Sequence, residues 1–337
     1  MSKKWIAFVV FFLALFVLYI SGPRPSKQHW SKVLPDVPKS IQQIEEFVSS
    51  QERKHSVKPG NHARIVWADS NHQKTPYSVI YLHGFSASQE EGNPVHTDFA
   101  RKFGCNLFLS RLADHGIDTT EQLLFFTGDR LWESAKEALM IGRTLGDSVI
   151  IMSTSTGGTV ALMLAAAYPE LVHSLINLSP NIAINNPLAF LSNNPWGLQL
   201  TYQVVGKYNL AQTDSVRKRY WNDKYRVESV VQLQELLEDH MNQDTFQKIK
   251  CPSLTLYYYL DEDHQDKQVK VSAMLAMHEQ LATPLSKKRI LPVPMAGEHV
   301  LGSHLVSKDI ETVQHYIDAF ATEVLGLKKN NPTVASF

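Results

Sequence analysis

The sequence has few cysteines and no excess of either charge. Its 337 residues include two cysteines, Cys105 and Cys251, each at the start of a predicted buried strand. We therefore expect two buried thiols, with a disulfide or a reactive thiol as the alternative. Lysine and arginine together number 33, as do aspartate and glutamate, so no overall field favours nucleic acid as a partner.

Internal repeats and low-complexity segments are also missing from the sequence, which excludes a repeat architecture and a largely disordered chain. Hydrophobic residues make up 44% of the chain and charged residues 20%, which is typical of a globular enzyme. This length accommodates one large α/β domain or two small ones.

Only one long apolar run is present, from Trp5 to Ile20, and it directly follows Lys3 and Lys4. Its length lies between a signal-peptide core and the roughly 20 residues that a membrane helix needs. Because bulky Tyr19 and Ile20 stand where signal cleavage requires small residues, we favour an uncleaved anchor with the rest of the chain on the extracytoplasmic side. A protein that is secreted or periplasmic after signal cleavage is the alternative.

Proline-rich segments separate this run from the rest of the chain. Gly22–Ser26 and Leu34–Pro38 each carry two prolines, which stiffen the backbone, whereas apolar residues recur at helical spacing between Ser40 and Gln51. The predicted organisation is an anchor or signal segment over 1–22, a linker with a short helix over 23–60, a main domain over 61–327 with an insertion at about 180–250, and a tail over 328–337.

Short β-rich runs alternate with helical patterns through the main domain. Continuous apolar strands separated by helices predict an α/β fold, with a mostly parallel sheet covered by helices on both faces. The predicted strands are Ile65–Trp67, Ser78–Leu82, Asn106–Leu109, Val149–Met152, Ser174–Leu178, Ser253–Tyr258 and Lys288–Leu291, and the predicted helices are Asp129–Leu145, Gly157–Tyr168, Val269–Leu281 and Ser307–Leu325.

The run Ile150–Thr159 stops at a serine between small residues and continues as an apolar helix. A strand that turns abruptly into a helix strains its turn residue and requires small residues two positions before and after it. Ser153 and Gly157 occupy these positions around Ser155, which is therefore the predicted nucleophile. Ser153 stands where glycine is usual and is less free in conformation. A plain turn between a buried strand and a buried helix is the alternative.

The segment His83-Gly84-Phe85 follows the predicted strand that ends at Leu82. An oxyanion needs two backbone N–H donors aimed at one point, and Gly84 lets the chain bend close enough to supply one of them. We predict the N–H groups of Phe85 and Thr156 as these donors. A strand-to-loop turn with a buried histidine is the alternative.

An acid and a base are predicted after two later strands. Among four carboxylates in Leu260–Val269, Asp266 is the first choice for the acid, because it directly precedes the apolar start of a helix that packs on the sheet. Asp263 is the second choice. His299 follows a flexible glycine after the last core strand, and its unperturbed pKa near 6.5 suits a base that takes and returns a proton near neutrality.

Together these motifs resemble the α/β-hydrolase superfamily, in the branch of carboxylesterases and monoacylglycerol-lipase-like enzymes. The order of nucleophile, acid and histidine is the order expected of that fold. The resemblance covers roughly Arg64–Leu325 and implies a helical cap in the insertion at 180–250. The matching segments are His83–Phe85, Leu112–Gly116 with two replacements, Ser153–Gly157, Asp266 and Gly297–Val300.

The resemblance implies a serine hydrolase that cleaves carboxylic esters through Ser155, Asp266 and His299, with an acyl-enzyme and without a metal or organic cofactor. Its expected partners are a small-molecule ester, lipid-derived esters included, and the membrane through the N-terminal helix. An acyltransferase or a peptidase on the same triad is one alternative, and a non-catalytic binding protein of this fold is another. The aromatic residues of the insertion, Trp196 and Trp221 among them, suit either a hydrophobic acyl pocket or packing of the cap, so they do not predict specificity.

Overall fold

The computed structural model describes residues 2–211 and 214–330, and the predicted tail lies outside these residues from position 331 onward. The helices are α1 (Lys3–Ile20), α2 (Ile41–Glu52), α3 (Val95–Phe103), α4 (Gly128–Leu145), α5 (Thr156–Ala167), α6 (Gly197–Val204), α7 (Val227–His240), α8 (Gln243–Phe246), α9 (Val271–Gln280) and α10 (Ile310–Glu323). The strands are β1 (Arg64–Val66), β2 (Thr75–Leu82), β3 (Asn106–Leu109), β4 (Gly146–Thr154), β5 (Val172–Leu178), β6 (Tyr208–Leu210), β7 (Lys224–Arg226), β8 (Ser253–Tyr257) and β9 (Lys288–Pro292).

The main sheet runs in the order β1-β3-β2-β4-β5-β8-β9. Only the edge strand β1 pairs in antiparallel orientation, and every other neighbouring pair in this sheet is parallel. The prediction of a mostly parallel sheet is confirmed, and each predicted strand overlaps a strand of the sheet. Parallel pairing also brings the carboxyl ends of β2, β4, β8 and β9 to one edge of the sheet.

Two hydrophobic cores cover the two faces of the sheet, because successive residues of a strand point to opposite sides. Ile151 of β4 lies in the core formed with α2, α4, α5 and α9, whereas its neighbour Ile150 lies in the core formed with α3 and α10. The strands are buried on both faces, which explains their uninterrupted apolar sequences. Cys105 is buried, Cys251 is partly buried and both thiols are free, so the alternative of a disulfide is wrong.

The segment 23–40, which we call the strap, is extended and packs against the main domain. Lys136 of α4 is fully buried beneath it, and its ammonium donates to the carbonyl oxygens of Ser31 (3.0 Å) and Val33 (2.5 Å). The indole N–H of Trp132 donates to the Ser31 oxygen as well (2.7 Å). A buried ammonium needs such partners, so the strap is part of the packed structure.

The helix α2, which follows the strap, is joined to the main domain by a buried ion pair. Arg111, which follows β3, donates from Nε and Nη2 to the Glu52 carboxylate at 2.9–3.1 Å, and both side chains are nearly inaccessible to solvent. Glu52 also accepts from the N–H of Ala63 (2.9 Å). This two-pronged geometry satisfies both charges in a site where an unpaired charge would be costly.

The segment at 180–250, which we call the cap, contains helices α6, α7 and α8 and a two-stranded antiparallel sheet of β6 and β7 within its described residues. The predicted cap is helical, and the structure adds this hairpin to it. The apolar residues Leu233, Leu236 and Leu237 of α7 are buried in the main core, and Val231 of the same helix is also buried. They therefore pack the cap onto the domain and are not available to a substrate.

The helix α1 projects from the domain and none of its residues is buried. Its mean hydropathy of 2.1 and its 18 residues are sufficient for a membrane span, although a signal sequence meets the same criteria. Its last turn contacts the cap, where the indole N–H of Trp196 donates to the Leu18 oxygen (3.0 Å) and the Trp196 backbone N–H donates to the Pro23 oxygen (3.1 Å).

We predict that Glu52→Ala lowers the free energy of unfolding by about 3–5 kcal/mol, because it leaves the buried Arg111 guanidinium unpaired. The matched control is Glu46→Ala on the exposed face of α2, where the ion pair with Arg53 contributes less than about 1 kcal/mol. Thermal unfolding of the full chain measures both variants. Equal midpoints for the two would show that the buried pair does not stabilise the attachment of α2.

Candidate active site

Ser155 lies at the turn between β4 and α5, with φ 53° and ψ −121°. A non-glycine residue in this region is strained by about 1–3 kcal/mol, so the surrounding structure must hold it. The Ser155 N–H donates to the Leu178 oxygen (3.0 Å), and its carbonyl accepts from Gly158 (2.8 Å) and Asn181 (2.9 Å). The predicted strand-to-helix elbow is present, and its strain falls on the residue predicted as nucleophile.

The two small residues around Ser155 have different roles. A Cβ at Gly157 would lie 1.9 Å from the carbonyl oxygen of Leu82, so β2 and the start of α5 approach too closely for any side chain there. Ser153 is accommodated because its hydroxyl donates to the Asn177 side-chain oxygen (2.8 Å) on the neighbouring strand β5. The departure from glycine at Ser153 is therefore compensated by a buried hydrogen bond.

Asp266 and His299 are in direct contact after β8 and β9. The imidazole Nδ1 of His299 lies 2.6 Å from Asp266 Oδ2, while Oδ1 of the same carboxyl accepts from the N–H groups of Gln268 (2.9 Å) and Val269 (3.1 Å). Asp266 is 1% exposed, whereas the other candidate, Asp263, is exposed to solvent. Asp266 is therefore the carboxylate that orients His299.

The electrostatics of this pair favour an ion pair. Burial alone would raise the pKa of Asp266, but attraction to His299 and the two backbone donors lower it below its usual value. Burial likewise disfavours a charged His299, yet Asp266, with Glu91 and Glu298 adding to it, raises the pKa of the imidazole above 6.5. An ionised carboxylate only accepts hydrogen bonds, so Nδ1 of His299 carries the proton. In the neutral imidazole, Nε2 is then the unprotonated nitrogen.

The segment 83–88 after β2, which we call the oxyanion loop, lies beside Ser155: a Cβ at Gly84 would be 3.0 Å from the Ser155 Cβ. His83 is fully buried; its Nε2 accepts from Leu112 (3.0 Å), which leaves Nδ1 to donate to the Gly84 oxygen (2.9 Å). Burial holds the pKa of His83 well below 6.5, so it stays neutral. His83 therefore has the structural role that the sequence left open as an alternative.

Phe85 places its ring among Phe126 and His115 of the domain and Tyr225 of the cap. Within residues 2–211 and 214–330, the backbone N–H groups of Phe85 and Thr156 donate to no protein acceptor. N–H groups without a protein acceptor can donate to a bound oxygen atom, which is what the prediction for Phe85 and Thr156 requires.

Glu91 is a buried residue of this site that the sequence reasoning missed. It lies in a short 3₁₀ helix, Gln89–Gly92, and its Oε2 accepts from the Gly84 N–H (2.5 Å). Burial raises the pKa of Glu91 to about 7, against the opposing effects of the Gly84 N–H, the charge of His299 and the Trp221 side chain. No periodicity or motif distinguishes this carboxylate from its neighbour Glu90, so only the structure identifies it.

In the described part of the chain, no group of three or more His, Cys, Asp or Glu side chains is arranged to hold a metal ion. The chemistry that the site can perform with its own groups is nucleophilic attack by a hydroxyl, with proton transfer through an imidazole and stabilisation of an oxyanion.

No protein-family model and no curated protein sequence matches the chain. Solved structures do match it over most of its length. A structure of the metagenome-derived lipolytic enzymes LipS and LipT superposes with a TM-score of 0.63 at 18% identity, covering 78% of this chain and 98% of that one. The chain has the α/β-hydrolase fold.

Two further structures with the α/β-hydrolase fold agree with this result. The monoacylglycerol lipase of Paleococcus ferrophilus matches with a TM-score of 0.56 and 12% identity over 76% of this chain and 96% of its own. Est1E from Butyrivibrio proteoclasticus with bound ferulic acid matches with a TM-score of 0.54 and 17% identity, covering 79% of this chain and 95% of its own. In the α/β-hydrolase fold, the nucleophile stands at a sharp strand-to-helix turn, which is the position that Ser155 occupies.

We predict that the pKa of His299 is above 6.5 in the full chain and falls in Asp266→Asn, because burial persists while the attraction of the carboxylate is lost. A histidine-selective NMR titration measures it. His115, whose pKa burial lowers to about 4, serves as the internal control and should not change. An unchanged His299 pKa in the variant would contradict the assigned ion pair.

Proposed function

We propose that this protein is a serine hydrolase that cleaves carboxylic esters. The observation that carries the proposal is the 2.6 Å hydrogen bond between His299 and the buried Asp266, at the same sheet edge as the strained Ser155. His299 Nε2 takes the proton of the Ser155 hydroxyl as the oxygen attacks the ester carbonyl, and Asp266 stabilises the imidazolium that forms.

The N–H groups of Phe85 and Thr156 bind the oxyanion of the tetrahedral intermediate. When the intermediate collapses, His299 returns the proton to the departing alcohol and an acyl group remains on Ser155. Water, deprotonated by His299, then attacks the acyl-enzyme, and His299 returns this proton to the Ser155 oxygen as the bond to the acyl group breaks and the acid leaves. Each step uses groups of this chain only, and the charge that develops on oxygen is met by donors that have no other protein partner in the described residues.

Lipid-derived esters are the substrate class that we propose. Exposed apolar side chains of the cap, Leu188, Phe190, Leu200 and Val204, lie in the segment whose Trp196 contacts the end of α1. If α1 spans a membrane, this segment lies at the membrane surface, where such side chains are favourable. The lipolytic enzymes among the structural neighbours support an ester as the substrate.

We further propose that α1 is an uncleaved anchor and that the main domain is extracytoplasmic. Lys3 and Lys4 precede the apolar helix, as the positive-inside rule requires of a cytoplasmic N-terminus. An acyltransferase or a peptidase would use the same triad, and a binding protein of this fold would not need the buried pair of Asp266 and His299. The ester hydrolase is favoured because it is the commonest use of such a site.

We predict that the full chain hydrolyses p-nitrophenyl esters and that Ser155→Ala lowers kcat by about 10³-fold or more, since the nucleophile is lost. Labelling with a fluorophosphonate identifies the reactive serine. Ser153→Ala is the matched control, because Ser153 lies two residues away but its hydroxyl is bonded to Asn177; labelling should persist. Labelling without ester hydrolysis would favour a transferase or a peptidase, and no labelling would favour a binding protein.

We predict that the full chain stays in the membrane fraction after alkaline carbonate extraction and retains its N-terminus by mass spectrometry. Leu13→Arg combined with Val17→Arg should release it, because each charge in the middle of a span costs about 2.5–3.5 kcal/mol of insertion. Val33→Arg in the exposed part of the strap is the control and should not release it. A mature chain that lacks its first 20 or so residues would support a cleaved signal instead.

A further inference from the structure

Glu91 is a buried carboxyl at the centre of the site that the proposed mechanism does not use. It is 2% exposed, and both of its carboxyl oxygens lie 2.9 Å from the place where a Cβ of Gly84 would stand. The same point lies 3.0 Å from the Cβ of Ser155. Glu91 therefore lies behind the oxyanion loop, within one residue's width of the predicted nucleophile.

The contact with Gly84 restricts the position of the predicted donor. Oε2 of Glu91 accepts the Gly84 N–H at 2.5 Å, and the next N–H along the chain, that of Phe85, is the predicted oxyanion donor. The Phe85 N–H belongs to the same planar peptide unit as the Gly84 carbonyl, which accepts from His83 Nδ1 (2.9 Å) and from the Ala87 N–H (3.3 Å). The Glu91 bond holds the preceding peptide unit, so both units that meet at Gly84 are held in place. A carboxyl oxygen accepts this hydrogen bond whether the group is ionised or protonated.

Residues 221–225 of the cap contact this loop at two places and Glu91 at a third. The N–H of Asn222 donates to the Ser86 oxygen (2.7 Å), and the ring of Tyr225 packs edge-on against that of Phe85 with centroids 5.4 Å apart. The side chain of Trp221 interacts with the Glu91 carboxyl itself. The oxyanion loop is thus held from behind by Glu91 and from the cap by this segment.

The predicted nucleophile Ser155 lies beside this loop and is 9% exposed, so only a small part of its surface is accessible to a substrate in this structure. Displacement of segment 221–225 removes contacts to the loop at Phe85 and Ser86 and the Trp221 contact to Glu91. The donors of the oxyanion hole then regain their alignment only when the cap returns. Such closure after binding is a common way to complete a catalytic arrangement.

We propose that Glu91 is a positioning residue through which cap segment 221–225 aligns the oxyanion loop for catalysis. This inference rests on the proposed function of Ser155. Glu91 contacts no reacting atom; it acts through Gly84 on the Phe85 N–H. Its loss should therefore lower the rate of the chemical step more than it weakens substrate binding.

The test compares Glu91→Ala, Glu91→Gln and Trp221→Phe in the full chain. The measurements are kcat and KM for a short p-nitrophenyl ester and the second-order rate constant for phosphonylation of Ser155 by a fluorophosphonate. Glu91→Ala should lower kcat and the labelling rate by about tenfold or more, with KM within about twofold, because the donor is misplaced but not removed. Trp221→Phe should lower both rates by a smaller factor.

Glu91→Gln should restore both rates, since its amide oxygen accepts the Gly84 N–H. It should also shift the acid limb of kcat/KM to lower pH, because a negative charge that raises the pKa of His299 is removed. Asp266 and Glu298 are the other carboxylates that raise this pKa. Glu298→Gln is the matched control, because it removes an exposed charge beside His299 without touching Gly84. The acid limb of kcat/KM should therefore shift to lower pH, while the rate on the plateau of the pH profile stays at the parental value.

Three results would each overturn the proposal. The first is a Glu91→Ala variant with the parental rates, and the second is a Glu91→Gln variant that is as slow as Glu91→Ala. The third is an effect of Glu91→Ala on KM alone. Thermal unfolding shows which variants fold. If Glu91→Ala does not fold, a Trp221→Phe variant with the parental rates overturns the proposal. A parent that is labelled at Ser155 but hydrolyses no ester disproves the ester function, while the labelling rates still test Glu91. A parent that is not labelled at Ser155 overturns both.

Discussion

The close approach of β2 to the start of α5 is the constraint on which the site depends. The carbonyl of Leu82 comes so near to Gly157 that no side chain fits between them, and the chain can make this approach only by straining Ser155. The same approach brings the loop that follows β2 against the serine. The predicted nucleophile and the predicted oxyanion donors are therefore placed by one packing contact. The bond that the Ser155 N–H donates to Leu178, and the bonds that its carbonyl accepts from Gly158 and Asn181, keep Ser155 in its strained conformation.

The buried ionisable side chains of this site differ in charge because they have different neighbours. His83 and Asp266 are both buried, but burial without a neighbouring opposite charge keeps His83 neutral, whereas His299 and two N–H groups hold Asp266 charged. Glu91 lies between these cases, with one backbone donor and a pKa near neutrality. The number and charge of hydrogen-bond partners, more than depth of burial, separates the three roles.

Much of this arrangement could be predicted from the sequence, because strand periodicity and short-range motifs are local. The seven strands of the main sheet, the turn at Ser155 and the candidates Asp266 and His299 all follow from residues within a few positions of one another. Helix α3 was missed because its nine residues are few for a periodic pattern and carry charges among the aromatics. The β6–β7 hairpin, the role of Trp221 and the burial of Glu91 depend on contacts between distant segments, which no single stretch reveals.

The strap has a consequence for how the whole molecule is oriented. A flexible tether would let the main domain rotate freely relative to α1, but the strap is bonded to α4 through Ser31, Val33 and Pro38. Gln28 and Trp30 of the strap are bonded to α7 of the cap. It has no slack. Rotation of the domain relative to the end of α1 would require breaking these bonds, including those that satisfy the buried ammonium of Lys136. The strap therefore determines the direction in which the cap faces relative to the end of α1, and it also determines the distance between the two.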